Sequence, residues 1–294
     1  MKRNNKLFLG VTVTVCLFIV SSYLLLSHLR LDKPVFMKHY YEAPVNRESN
    51  SSLANPLPFS YITNRNDSRV VVGLEFLDYP DIEIYASEHQ EGMDGQYIEN
   101  QMNTLGYGVG PYSIRHVNWE IGYLPEDMSI NEIELSDVRV LFDDSNELIT
   151  NIGEIHLREQ PNAMDALNHQ YVSSSSDGQS LSRFLVTEDI TLSSIESPLL
   201  SRFKDRLEIK INEEPISDAV GKEFKQGEYL TVSSEIAPTG EELSDDRLFS
   251  IQPLMSFKHE NGTYSEYPIL NLNDTRLEYS VSNIYKFVNE RGVN

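Results

Sequence analysis

Residues 7–26 read LFLGVTVTVCLFIVSSYLLL, a run without a single charge. At 1.5 Å per residue this run matches the roughly 30 Å hydrocarbon layer of a bilayer. An uninterrupted stretch of this length behind a basic N-terminus does not fit a buried core helix. Lys2, Arg3 and Lys6 precede it and, by the positive-inside rule, hold the N-terminus in the cytoplasm. The expectation is an uncleaved signal anchor over residues 7–29, with residues 1–6 as a cytoplasmic tail. A cleaved signal peptide is the rival. Val20 and Ser22 could serve as its small residues, but Tyr23-Leu24-Leu25-Leu26 continues the apolar run and no A-x-A follows. Val13-Thr14-Val15 before Cys16 lacks the Leu-small-small pattern of a lipobox.

Charge supports this topology. The chain of 294 residues carries a net charge of −21. Residues 1–38 hold six basic residues (Lys2, Arg3, Lys6, Arg30, Lys33, Lys38) against Asp32, a net +5, so the remainder carries −26. An acidic body of that size repels phosphate backbones, which excludes a nucleic-acid partner. Apolar content of 40 % places the body among globular chains and not among acidic disordered tails. The one cysteine, Cys16, lies inside the apolar run. The body therefore has no disulfide framework, thiolate metal site or cysteine nucleophile. A cysteine-free exterior body rich in Asn, Ile, Glu and Ser is similar in composition to Gram-positive surface proteins.

Residues 30–64 contain Pro34, Pro44, Pro56 and Pro58 and the polar stretch Asn46–Ser52, with no sustained periodicity. They read as a stem or linker. Beyond them the period is two. Val70, Val72, Leu74 and Phe76 alternate, as do Val117, Trp119 and Ile121, then Val138, Val140 and Phe142, then Leu207, Ile209 and Ile211. Asp143-Asp144-Ser145-Asn146 and Asn261-Gly262 read as hairpin turns. Residues 94–105 place Ile98, Met102 and Leu105 at helical spacing, with Gly106 after them. A shift of 115 positions aligns 117–157 on 232–272 without a gap. It matches Val117/Val232, Glu120/Glu235, Ile121/Ile236, Glu126/Glu241, Ser129/Ser244, Phe142/Phe257, Asn146/Asn261 and Leu157/Leu272. Leu277, Val281, Ile284, Tyr285 and Val288 form one helical face, with a Thr275/Glu278 capping box, and the helix is expected to pack on the second domain.

The fold class expected is mainly β. One N-terminal transmembrane helix precedes two tandem β-sandwich-like (Ig-like) antiparallel domains with a few short helices and a C-terminal helix. The domains are placed at 65–165, with the helical insertion, and 181–294, joined by a linker at 166–180 around Ser173–Gly178.

The search for catalytic motifs returns none of G-x-S-x-G, H-E-x-x-H or a Walker loop. Ser201-Arg202-Phe203-Lys204 matches S-x-x-K without its partner motifs. Gly106-Tyr107-Gly108-Val109-Gly110 lacks the strand before and helix after that a phosphate cradle needs, so it reads as a permissive loop. His28, His39, His89, His116, His156, His169 and His259 show no ligand spacing. Asp143-Asp144 and Asp245-Asp246 could bind Ca²⁺ at turns, but the D-x-D-x-D-G loop is absent. Trp119 is expected in the core. No catalytic, cofactor-binding or metal residue is assigned, and no cofactor is implied. The functional expectation is a single-pass membrane protein with an extracytoplasmic body. It would act as a non-catalytic binding or accessory protein of the cell envelope, with another envelope protein or wall polymer as partner. The alternatives are an envelope hydrolase built from scattered Asp, Glu and His, or a regulator acting through its membrane helix.

Overall fold

The computed structural model describes residues 2–46, 57–88, 106–160, 166–175, 178–237, 243, 248–269, 272–275 and 279–291. The chain is mainly β. Helix α1 spans Lys2–His28. Its described side chains, such as Phe8, Phe18, Ile19 and Leu24, stand exposed. Among the described residues no helix is long and apolar enough to cross a membrane.

Four sheets follow. Sheet one holds β1 (Val35–Phe36), β3 (Phe59–Asn64), β5 (Glu83–Ser87), β6 (Tyr107–Val109) and β7 (Tyr112–Tyr123). Sheet two holds β2 (His39–Val45), β4 (Val71–Phe76), β8 (Glu134–Phe142), β9 (Glu147–Glu159), β17 (Leu248–Ile251) and β20 (Leu272–Asp274). Sheet three contains β10 (Leu167–Ser174), β11 (Gln179–Val186), β13 (Leu207–Ile211), β14 (Glu214–Pro215) and β16 (Tyr229–Ile236). Sheet four contains β12 (Ile190–Glu196), β15 (Glu223–Phe224), β18 (Leu254–His259) and β19 (Tyr264–Pro268). Short helix α2 (Ile216–Ala219) and the C-terminal helix α3 (Val281–Glu290) complete the set.

Sheets one and two enclose the first core, centred on Phe59, Phe76, Trp119, Leu135 and Ile155. Trp119 lies there as expected. It stacks on Phe59 at 4.9 Å between ring centroids and donates its indole N–H to the Leu57 carbonyl at 2.9 Å. Sheets three and four enclose a second core around Phe184, Leu192, Phe203, Leu230 and Phe257. The apolar pairs of the 115-residue shift, Val117/Val232, Ile121/Ile236, Phe142/Phe257 and Leu157/Leu272, are buried at both positions. The two Asn turns join β8 to β9 and β18 to β19.

The described residues of the expected stem, 30–46 and 57–64, are not a stem. They form β1, β2 and β3, and every residue of β2 is buried. β2 lies inside sheet two, parallel to β9 on one side and to β17 on the other. Its odd residues Tyr41, Ala43 and Val45 enter the first core, while Tyr40 enters the second. A strand buried on both faces carries no polar alternation, so HYYEAPV gives no period-two signal. Pro44 is tolerated because β17 pairs with β2 only as far as Tyr41. Close packing continues at Gly153, where β9 passes β2 at φ +112°. A Cβ there would come within 2.1 Å of the His39 carbonyl oxygen.

The described residues of the expected linker, 166–175 and 178–180, are also structured. They contain β10 and the start of β11, with Ala166 and Leu167 buried. In β4 a bulge between Val71 and Gly73 turns Val71 inward and Val72 outward, which breaks the simple 70/72/74/76 face. The expected helix at 94–105 lies outside the described residues. Helix α3 begins later than the capping box implied. Ser280 caps it, its hydroxyl accepting from the Asn283 N–H at 3.1 Å. Its inner face is Ile284, Phe287 and Val288. These pack with Val35, Ile62, Tyr112, Ile114 and Leu248, so α3 leans chiefly on sheet one and not on the second core.

Candidate functional site

Three polar regions stand out, and each is built by the pairing just described. The first is the seam between the cores. Glu42 sits on the even face of β2, pointing away from the first core. Its carboxylate accepts from the Ser197 hydroxyl, the Leu199 N–H at 3.2 Å and the Gln252 N–H at 2.9 Å. Arg158 of β9 approaches it at 3.7 Å and donates to the Gln252 carbonyl. Burial lowers the Arg158 pKa, and the Glu42 carboxylate opposes that shift. Arg202 lies over the Tyr40 ring at 4.0 Å and donates to its hydroxyl at 2.8 Å. These bonds satisfy charges that the packing has removed from water, which is the work of a structural joint.

At the exposed end of the seam, Glu134, Glu154 and His156 bring one ligand atom each within 4.8 Å of one another. The pairing of β8 with β9 sets Glu134 opposite His156. Glu154 and His156 alternate onto the same face and lie 2.7 Å apart. Glu154 is also within 3.5 Å of Arg202. This is the described place where acids and a histidine converge, and the i, i+2 spacing on β9 was its only trace in the sequence.

The third region is the outward face of sheet three. Here a hollow of about 450 Å³ is lined by Ser173, Gln179, Leu181, Ser233, Glu235, Glu208 and Lys210, with further serines at its rim. Gln179 pairs with Glu235, Leu181 with Ser233, and Lys210 with Ser233, so the lining comes from adjacent strands in register. Tyr171 pairs with Arg183 further along, and the Arg183 guanidinium lies 3.8 Å from the Tyr229 ring. Hydroxyls, an amide, carboxylates and an ammonium group can exchange hydrogen bonds with a polyhydroxylated chain. The described residues of the lining include no histidine.

The remaining sequence candidates do structural work. Asp143 accepts from the Val70 N–H at 3.0 Å, and Asp144 accepts from the Asn146 backbone and side chain at 3.0 and 2.6 Å. Asp144 thus closes the β8–β9 turn, while Asp143 ties that turn to the segment before β4. Asp245-Asp246 lies outside the described residues, as does His89. Ser201 and Lys204 are exposed in the turns after β12, while Phe203 between them fills the second core. The glycine-rich segment is β6, turning into β7 through Gly110 at φ +59°. A Cβ at Gly110 would meet Val281 of α3 at 2.6 Å. Among the histidines, His28 meets the Tyr285 hydroxyl at 2.8 Å, His116 meets Ser60 Oγ at 3.0 Å, and His259 lies 3.1 Å from Glu188.

His39 is fully buried. Its Nε2 accepts from the Ser60 N–H at 2.9 Å and its Nδ1 lies 3.3 Å from the Ile152 carbonyl, which suits the neutral ring. Burial pushes its pKa from 6.5 down to about 3. The unfolded chain therefore takes up this proton first as pH falls. The contribution of His39 is complete above pH 6.5 and is lost from there toward pH 3, at roughly 1.4 kcal/mol per pH unit. Urea midpoints between pH 7 and 4.5 should show this slope, and His39→Gln should flatten it. Equal slopes in the two proteins would refute the assignment.

No family model and no curated protein matches the chain. Among solved structures, a protein of unknown function from Porphyromonas gingivalis W83 aligns at 8 % identity and a TM-score of 0.26, covering 80 % of this chain and 97 % of that one. A marsupial T cell receptor aligns at 9 % and 0.18, covering 82 % and 62 %. The CupB2 chaperone of Pseudomonas aeruginosa aligns at 7 % and 0.15, covering 81 % and 100 %. TM-scores this low assign neither fold nor function.

Proposed function

We propose that this protein is a non-catalytic binding protein of the bacterial cell envelope. Its α1 serves as a single-pass anchor, and its body, two β cores that share sheet two, stands outside the membrane. The reading rests on the hollow of sheet three, whose hydroxyl, amide and carboxylate lining suits a wall polymer rich in hydroxyl groups. The uncharged run at 7–26, the basic residues before it and the exposed apolar side chains of α1 support the anchor.

The test is co-sedimentation of the full chain, in detergent micelles, with purified insoluble peptidoglycan. Gln179→Ala combined with Glu235→Ala removes two hydrogen-bonding groups and is expected to weaken retention roughly tenfold. Unchanged retention, or none by the wild type, would rule out the polymer reading. Protease added to sealed cells should cut the body, and protection until lysis would invert the topology.

An envelope hydrolase is the second reading, carried by the convergence of Glu134, Glu154 and His156. Release of soluble fragments from the same peptidoglycan, abolished by Glu154→Gln, would decide in its favour.

A further inference from the structure

A second hollow, about 320 Å³, opens between β1, the start of β9 and the C-terminal end of α3. Lys33, Lys38 and Arg291 line it, together with Pro34, Thr150 and Asn151. Among the described residues that line it there is no Asp or Glu. In a chain carrying −21, three cations gathered on one concavity oppose the general charge. Arg291 is held in place. One guanidinium nitrogen donates to the Phe36 carbonyl at 2.6 Å, and the group lies over the Phe287 ring at 4.4 Å. Lys33 and Lys38 sit on either side of β1, five and ten residues after α1 ends at His28.

We propose that this hollow binds a phosphate group, carried on an anionic lipid headgroup or free in solution. Two ammonium groups and a planar guanidinium supply donors and positive charge, and Thr150 adds a hydroxyl. A cationic ligand would be repelled by this lining, and a neutral one would gain hydrogen bonds without the charge attraction. The lipid source rests on the anchor reading, because only a membrane-spanning α1 brings the hollow next to the headgroups. The phosphate chemistry stands without it.

The test is the melting temperature of the full chain in two settings. In detergent micelles, 20 mM inorganic phosphate is compared with chloride at equal ionic strength. In nanodiscs, phosphatidylglycerol is compared with phosphatidylcholine. Occupancy is expected to raise the melting temperature by about 3 °C. Lys33→Gln with Lys38→Gln is expected to abolish the rise while leaving the chloride melting temperature unchanged, since neither side chain is part of a core. A rise in both settings identifies the phosphate group, with the lipid as an occupant. A rise with inorganic phosphate alone assigns the site to soluble phosphate. No rise in either setting, or a rise that persists in the double variant, overturns the proposal. The phosphate arm is independent of the protease experiment, so failure of the anchor reading is distinguishable from failure of the site.

Discussion

Glu42→Ala is expected to destabilise the protein by about 3–5 kcal/mol, the cost of removing one partner from a buried charge network. The carboxylate gathers the Ser197 hydroxyl, the Leu199 and Gln252 N–H groups and the Arg158 guanidinium. Alanine leaves these donors buried without an acceptor, and it leaves Arg158 as a buried cation whose compensating charge has gone. At roughly 2–4 °C per kcal/mol for a chain of this size, the melting temperature should fall by about 6–20 °C. Because Glu42 joins β2 to segments of the second core, the unfolding curve should also split into two transitions. Glu42→Gln keeps one acceptor oxygen and should cost less. A single transition at the wild-type temperature in Glu42→Ala would show that the seam contributes nothing.

Arg115→Met should have an effect of similar size, about 3–5 kcal/mol, for a related reason. The Arg115 side chain is 1 % exposed and donates to the carbonyls of Arg69 and Asp67, with the Glu88 carboxylate at 3.3 Å. Glu88 also accepts from the Tyr61 hydroxyl at 2.7 Å and the Val71 N–H at 2.8 Å. Burial, with the Glu88 charge second, pushes the Tyr61 phenol far above its usual range, so Tyr61 stays a donor. Methionine fills the volume but leaves Glu88 as a buried anion. Pairing the change with Glu88→Gln removes that anion, so the double variant should be more stable than Arg115→Met alone. Denaturant titration of the three proteins checks this. A double variant that sums the two single losses would mean that the ion pair is not the source of the effect.

Those two clusters were invisible in the sequence for a shared reason. Glu42 and Gln252 are 210 positions apart, and Arg115 and Glu88 are 27 apart. Neither pairing has a spacing rule. A buried Glu in HYYEAPV looks like any acid in a polar linker until strands close on both sides of it. The expectation of a stem at 30–64 failed there. Among the described prolines, Pro34 and Pro58 stand just before β1 and β3, and Pro44 lies in β2 beyond its pairing with β17. The hairpin at Asp143–Asn146 was legible because its chemistry is local, a carboxylate closing a turn two residues on. The same acids also invited a metal reading, and in the structure both accept backbone N–H groups.

The sequence alone determined what one-dimensional patterns control: the uncharged N-terminal run, the division of charge into +5 and −26, and the β strands whose one face is wet. Wet-and-dry alternation and turn chemistry act over a few residues, so they can be read along the chain. Tertiary structure decided everything that depends on which strands meet. It made β2 a central strand shared by two cores, placed α3 on sheet one, and brought Lys33 and Lys38 to Arg291 across more than 250 residues of chain. Parallel pairing of β2 with β9 and β17 is held by packing on both faces of the sheet, and such packing leaves no periodic mark in any one of the strands it joins.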